Sequence, residues 1–324
     1  MPEPSAGPGQ ALIEVRAAGI CGTDLHISEG SFASRPPVTM GHEVAGVVAA
    51  VGEDVEREWV GRPVVCETFF STCGVCRWCR AGRPNLCPRR QSIGSGVDGG
   101  FAPLLVVPAR NLHGVPRSIG LNVAALAEPL ACVCQSLFDP NRVEPGDDVL
   151  VTGPGPMGLL AAQAVRAAGG RVLMVGTDHD QVRLAAARKL GFRTALAGDD
   201  VGTRELGEGD GPQVVVECSG NAQAMAAGLE ALARGGTYVQ IGQTDQAVPV
   251  RLAQASFHEL TISGGFASTP RSWSRALSLL AGGQVQLEPL VSEMVPLDDW
   301  QRAFAGTAAA CGIKYLLNPR GSSA

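Results

Sequence analysis

The sequence has no run of about 18 apolar residues, the length a membrane-crossing helix requires, so no membrane span is expected. It has no excess of basic residues either. Lys and Arg number 26 against 31 Asp and Glu, giving a net charge of −5 and a pI near 5.6. Without a basic footprint, a nucleic-acid partner is not expected. The opening stretch Met-Pro-Glu-Pro-Ser-Ala-Gly-Pro-Gly-Gln lacks both the basic and the apolar region of a secretory signal. The ten cysteines are therefore expected to serve as thiols and metal ligands rather than disulfides, with the cytoplasm as the expected compartment. The first half also lacks a long helical pattern.

What is present describes a globular chain. With 324 residues it exceeds one ordinary core, so about two domains are expected. Hydrophobic residues make up 45 % and mean hydropathy is +0.12, enough apolar matter to bury sizeable cores. The 42 glycines exceed the roughly 23 that average usage gives and are spread along the chain, which points to many tight turns.

Cys21-Gly22-Thr23-Asp24-Leu25-His26, completed by Gly41-His42-Glu43, gathers a thiol, two imidazoles and two carboxylates in a short span. Catalytic zinc takes such donors, three from the protein with a fourth position open. Cys21, His42 and Glu43 are candidates for those three. On this segment alone the alternative is a buried thiol, a core histidine and a surface Glu.

Short stretches at residues 11–16, 44–51, 63–66 and 99–108 read as strands, rich in β-branched residues and bounded by Gly and Pro, and they argue for a small β-barrel or sandwich. Within this half stands Cys73-x2-Cys76-x2-Cys79-x7-Cys87. Four thiols at this spacing can close a tetrahedron around a structural zinc, with an iron–sulfur cluster or disulfides as the alternatives. Arg77, Arg80, Arg83, Arg89 and Arg90 would partly balance the thiolate charge.

From about residue 122 the pattern alternates strand and helix. A strand at 148–152 runs into Gly153-Pro154-Gly155-Pro156-Met157-Gly158, which opens a helix over 159–168. The first glycine makes the turn, the second lets backbone approach a pyrophosphate, and the third packs helix on strand, with the phosphate at the helix N-terminus. Strands at 171–176, 214–217 and 238–242 and helices at 180–190 and 221–233 complete a doubly wound parallel sheet. The acidic residue expected about 20 positions on is not at the strand end, where Gly176 stands. Asp178 could take the ribose diol and select NAD. Alternatively Gly176 leaves room for a 2′-phosphate held by Thr177, His179 and Arg183, selecting NADP. The reading leans to NAD. The cofactor-binding residues are taken to be Gly153, Gly155, Pro156, Met157, Gly158, Thr177, Asp178, Arg183, Ile241, Gly242 and Phe266. Beyond 266, a helix (271–281), a strand (290–295), a helix (297–305) and a final strand (314–317) are free to return to the first half.

Together these motifs, with Glu128-Pro129-Leu130, resemble the zinc-containing medium-chain alcohol dehydrogenase/reductase superfamily over nearly the whole chain, its polyol (sorbitol) and threonine dehydrogenase branch above all. The resemblance implies an α/β plus β fold, a GroES-like β-barrel catalytic domain with an inserted Rossmann domain. The expected parts are residues 1–121, holding the structural zinc lobe 71–90; the Rossmann domain, 122–266; and a C-terminal return, 267–324. It implies two zinc ions per chain, one catalytic and one structural, with NAD or NADP. Cys21, His42 and Glu43 match catalytic zinc ligands, and the resemblance implies that Glu128 lies beside the metal-bound water or substrate as a transient ligand. Asp24 would orient His42, and Thr23 with His26 match a proton relay.

Two departures stand out. The family usually carries an extra N-terminal segment, so either the start is misassigned or the variant is shortened. Ile27 replaces an aromatic substrate contact of sorbitol-type enzymes. The expected reaction is hydride transfer between a secondary alcohol (a polyol, sugar alcohol or cyclitol) and NAD(P), with catalytic residues Cys21, Thr23, His26, His42, Glu43 and Glu128. Alternatives are a threonine-type amino-alcohol or other alcohol/aldehyde dehydrogenase and, from another class, a non-catalytic zinc-stabilised nucleotide-binding protein. The expected partners are a small-molecule substrate and further copies of the chain in a homodimer or homotetramer.

Overall fold

A computed structural model describes residues 3–198 and 206–321. The chain divides into two compact units, one of Met1–Glu128, Ser268–Ala281 and Val291–Ala324, the other of Pro129–Ala267 and Gly282–Leu290. Against expected boundaries at 121 and 266, the first unit runs on through Glu128, and residues 282–290 group with the second unit.

The first unit opens with β1 (Gln10–Gly19), α1 (Gly22–Ser28), β2 (Glu43–Val51), β3 (Pro63–Cys66), β4 (Phe69–Ser71), α2 (Arg77–Arg80), β5 (Gln91–Ser92), β6 (Leu104–Pro108) and β7 (Leu112–Gly114). Helix α3 (Ala127–Phe138) starts at its boundary. The second unit carries β8 (Asp148–Thr152), α4 (Pro156–Ala167), β9 (Arg171–Gly176), α5 (Gln181–Lys189), β10 (Arg193–Leu196), β11 (Val214–Glu217), α6 (Ala222–Ala231), β12 (Thr237–Gln240), α7 (Leu252–Phe257) and β13 (Thr261–Gly264). The chain ends with α8 (Pro270–Ala281), β14 (Val291–Pro296), α9 (Trp300–Ala308) and β15 (Lys314–Asn318).

The main sheet of the first unit runs β14-β15-β1-β2-β3-β7, with β6 also on β1. Along β1, alternate residues Ala11, Ile13 and Val15 are fully buried, the period of a strand with one face on the core. They pack with Val44, Val48 and Val107. Each branched side chain so buried contributes roughly 1.5–3 kcal/mol. The C-terminal strand returns as the pattern allowed: β15 pairs antiparallel with β1, Gly19 opposite Leu316, and β14 runs parallel to β15. Helix α9 covers this end, its Ala303 and Phe304 packed with Ile20, Val295 and Leu317.

The strand expected over 99–108 is shorter and begins at Leu104. Its first residues bond elsewhere: the N–H groups of Gly99, Gly100 and Phe101 donate to Thr39, Gly41 and Met40, tying this segment to the loop before His42.

In the second unit all six strands are parallel, in the order β10-β9-β8-β11-β12-β13. Numbered within the unit this is 3-2-1-4-5-6, the dinucleotide-binding order whose crevice lies where the order reverses, beyond β8. The sequence pattern indicated four of these strands. Strands β10 and β13 are four residues each, Arg-Thr-Ala-Leu and Thr-Ile-Ser-Gly, too short and mixed for the strand period to stand out.

Candidate active site

Strand β1 ends at Gly19, and the next two residues lead into α1, with Cys21 as its N-cap residue. Asp24 Oδ2 accepts the Cys21 N–H at 2.9 Å, fixing the cap and burying a carboxylate in the first turn. Strand β2 begins at Glu43, opposite Gly19 in the ladder. These two strand ends bring a Cys21, a His42 and a Glu43 donor atom within 4.8 Å of one another. Asp24 Oδ1 lies 3.5 Å from His42 Nδ1, a charge contact on that side of the ring, and like Glu43 Oε2 it is buried without a hydrogen-bond partner. Burial favours the neutral imidazole, but Asp24 and Cys21 together raise its pKa well above the ordinary histidine value.

Lys314, at the start of β15, was not picked out from the sequence. Its buried Nζ donates to Glu43 Oε1 at 2.6 Å and to the Ile20 carbonyl at 2.9 Å. Burial works against its ammonium, yet Glu43, Cys21 and Asp24 raise its pKa above the usual lysine value. Glu43 Oε2, by contrast, is buried without a hydrogen-bond partner. A buried carboxylate oxygen left unpaired is costly, and a cation held jointly with Cys21 and His42 would satisfy it. The residues fit a zinc ion.

Of the other expected members, Thr23 Oγ1 lies 3.7 Å from Cys21 Sγ. His26 is exposed on α1, with Nδ1 3.3 Å from Ser31 Oγ and 3.8 Å from Glu29 Oε2. Glu128 is buried and stands outside the three-donor group, its Oε1 accepting from Thr68 Oγ1 at 2.9 Å. Burial, helped by the charges of Glu128 and Glu67, pushes the Cys66 thiol up to about 12. Glu67 in turn meets His113 Nε2 at 3.0 Å, and the His113 ring stacks on Trp273 at 5.1 Å. Thr68, Glu67 and His113 carried no spacing signal, because only the folded strands place them together.

Cys73, Cys76, Cys79 and Cys87 form the second donor group, again within 4.8 Å. Cys76 and Cys79 sulfurs are 3.5 Å apart, Cys73 and Cys79 4.0 Å. A tetrahedron with metal–sulfur bonds of about 2.3 Å has edges of about 3.8 Å. The backbone N–H groups of Val75 and Cys76, with Arg89, hold Cys73 down to about 5, while burial pushes Cys79 up to about 11. Four sulfurs this close can all be ionised only with a cation among them. A structural zinc fits.

In the second unit a cavity of about 670 Å³ opens over β8, β9 and β10 and the turn that follows β11. Gly153 has φ +87° and a Cβ there would strike Ser219, a Cβ on Gly158 would overlap the Gly153 carbonyl, and Gly155 faces open space. These are the turn, the helix packing and the ligand approach expected of the motif. Gly153, Gly155, Thr177 and Arg183 line the cavity. Pro156, Met157 and Gly158 form the first turn of α4 beside it. Asp178, Ile241, Gly242 and Phe266 do not line it. Asp180 does, and its Oδ2 accepts from Thr177 N and Oγ1, both at 2.9 Å, while Oδ1 pairs with Arg183 at 3.3 Å. Under the strand ends, Glu217 is fully buried and collects Thr152, Ser219 and Gln240.

Comparison with known proteins matches residues 7–117 to the alcohol dehydrogenase GroES-like domain and residues 156–282 to the zinc-binding dehydrogenase domain. The chain is 37 % identical over 323 residues to sorbitol dehydrogenase of Halalkalibacterium halodurans, covering 98 % of this chain and 94 % of that one. It is 37 % identical over 328 residues to L-threonine 3-dehydrogenase of Streptomyces avermitilis, with the same coverage. A zinc-binding dehydrogenase of Sinorhizobium meliloti, solved with NADP bound, superposes with a TM-score of 0.89 at 33 % identity over 98 % of this chain and 94 % of its own.

Proposed function

The chain belongs to the zinc-containing medium-chain alcohol dehydrogenase/reductase superfamily, an oxidoreductase acting on CH–OH groups, and from that premise we propose that it oxidises a secondary alcohol of the polyol or sugar-alcohol class with NAD. Membership removes the non-catalytic alternative. The observation that carries the alcohol-oxidation reading is the meeting of Cys21, His42 and Glu43 with an unpartnered Glu43 oxygen, and the sorbitol dehydrogenase relative favours a polyol. L-Threonine is the second reading, favoured by the threonine dehydrogenase relative.

A zinc held by Cys21, His42 and Glu43 would supply Lewis acidity to the alcohol oxygen, and nicotinamide the hydride acceptor. The chain's own residues do the rest. Asp24 fixes the His42 ring through Nδ1, and Lys314 fixes Glu43 through Oε1. Thr23 Oγ1 takes the alcohol proton toward His26, whose exposure lets it pass to water. Glu128, held by Thr68, sits as a buried carboxylate for the substrate side of the site. A second zinc in the four-cysteine lobe is structural.

NAD is preferred on electrostatic grounds. Thr177 and Arg183, two side chains a 2′-phosphate would need, are both engaged by Asp180, whose own negative charge lines the cavity. The Sinorhizobium relative was solved with NADP, so the preference is argued for this chain alone. Initial rates over polyols, their threonine-type counterparts and each cofactor test both points. Higher kcat/KM for a polyol with NAD is expected, and a consistent NADP preference would defeat the cofactor argument.

The ten free thiols fit a reducing compartment, the cytoplasm. Homo-oligomer formation is proposed through β13, the edge of the parallel sheet. Its Ile262 is 50 % exposed beside the exposed Leu252 and Phe257, an unprotected edge that a second copy would cover by two-fold strand pairing. Light scattering of Ile262→Lys should report a smaller species than the parent, and unchanged mass would refute this interface.

A further inference from the structure

Glu217 ends β11 as a carboxylate with no exposed surface. Its Oε1 accepts from Ser219 N at 2.7 Å, from Thr152 Oγ1 at 3.3 Å and from the Ser219 hydroxyl. Its Oε2 accepts from Gln240 Nε2 at 2.9 Å and from Gly220 N at 3.3 Å. The Gln240 amide has its orientation fixed, since Nε2 also donates to the Gly242 carbonyl and Oε1 accepts from the Tyr238 hydroxyl. Each Glu217 oxygen thus receives at least one N–H group, which can only donate, and such a setting holds the group as the carboxylate anion.

No cation answers this charge. Glu217 forms no ion pair among the described residues. From Val214 to Ala233 and from Gly235 to Val250 the sequence has no Lys, Arg or His, and Arg234 pairs with Asp210 at 2.7 Å. The strands on either side, β8 and β12, end in the neutral Thr152 and Gln240. Burial, and after it the Glu217 charge, raises the neighbouring Cys218 thiol well above its ordinary value, so Cys218 adds no second anion. A buried carboxylate with polar donors but no counter-ion is costly to keep.

Its place in the fold gives it a use. The parallel sheet consists of two mononucleotide-binding halves. The Gly153 turn and the Asp180–Arg183 rim mark β8 to β10 as the adenosine half, which leaves β11 to β13 for the nicotinamide half. Glu217 ends the first strand of that second half, at the point where the strand order reverses. Bare glycine backbone packs against its carboxylate: a Cβ on Gly242 would lie 2.6 Å from Oε2. The Ile241 and Gly242 N–H groups both donate to the Glu217 carbonyl at 2.9 Å, tying that turn to the same residue. A charge buried in this way is screened far less than one at the surface.

We propose that Glu217 sets the preference between the two oxidation states of the cofactor, its uncompensated charge favouring the oxidised nicotinamide, a cation, over the neutral reduced ring. Hydride arriving on the ring cancels the positive charge and with it this attraction, so the reduced cofactor is held less tightly and leaves more readily. Glu217 is a specificity residue in this role, and the role stands whichever alcohol is oxidised.

The test measures dissociation constants of NAD, NADH and ADP-ribose, which lacks the ring, by calorimetry at one ionic strength. It uses the full-length, zinc-loaded parent, Glu217→Gln and the exchanged pair Glu217→Gln/Gln240→Glu. In Glu217→Gln, binding of NAD should weaken relative to NADH by roughly tenfold, the scale of a partly screened interaction between unit charges in a protein interior. ADP-ribose should bind all three proteins alike. The exchanged pair keeps one negative charge and one amide donor between the same two strand ends, and it should recover the parental NAD to NADH ratio. Equal weakening of all three ligands, an unchanged ratio in Glu217→Gln or no recovery in the exchanged pair overturns the proposal. Should Glu217→Gln not fold, the parent is compared on NAD and its neutral isostere benzamide adenine dinucleotide. Tighter binding of NAD is then predicted, and equal or weaker binding overturns the proposal.

Discussion

Lys314 shows how much one residue decides here. A lysine 4 % exposed is kept only where a partner holds its charge, and this one holds Glu43 across 271 positions of sequence. By engaging Oε1 it leaves Oε2 as the oxygen with no other partner. Replacing it with Met strands a buried carboxylate, and breaking a buried pair from one side costs about 3–5 kcal/mol. Lys314→Met is therefore expected to melt at lower temperature and to release the zinc of the Cys21 group on dialysis, with Lys314→Arg recovering part of both. A Met variant with parental melting and full zinc would show that Lys314 does not position Glu43. Cys21, His42, Glu43 and Asp24 were legible in the sequence because donor types crowd one short span. Lys314, Thr68 and Asp180 were not, since lysine, threonine and aspartate are common surface residues until the fold buries or aims them.

Among the elements, the lobe from β4 to β5 depends most on a metal. It has two strands of three and two residues and one four-residue helix, too little to fold around an apolar core. Its shape follows from four thiols and the turns at Gly74 and Gly82, both at positive φ. Cys79→Ser should release one zinc per chain and expose this lobe first, read as early proteolytic cleavage within residues 71–92 while β8 to β13 stay protected. A variant that keeps both zincs and resists cleavage would contradict the structural assignment. This element was legible because cysteine spacing states its own geometry. The strand expected over 99–108 misled because Gly99 to Phe101 bond to the 39–41 loop, with bends at Gly100 and Phe101, and the residue pattern does not reveal that partner.

For the whole molecule, the two-unit order and the 3-2-1-4-5-6 sheet follow from patterns the sequence displays: short β-branched strands, a strand-glycine-helix motif, then alternation. The long-range closure of β15 on β1 was open in the sequence, since a final strand can join any free edge, and is settled by register and by α9 packing on Ile20. The substrate was less legible than the donors because loop residues, which obey no period, flank the donor segments. The central claim is that Cys21, His42 and Glu43 hold a catalytic zinc. It is tested most directly by counting zinc per chain and turnover together in Cys21→Ser. The account predicts two zincs in the parent and one in the variant, with the four-cysteine zinc retained and turnover reduced beyond the roughly 10–100-fold that loss of an outer partner costs. Parental turnover with one zinc gone would contradict it.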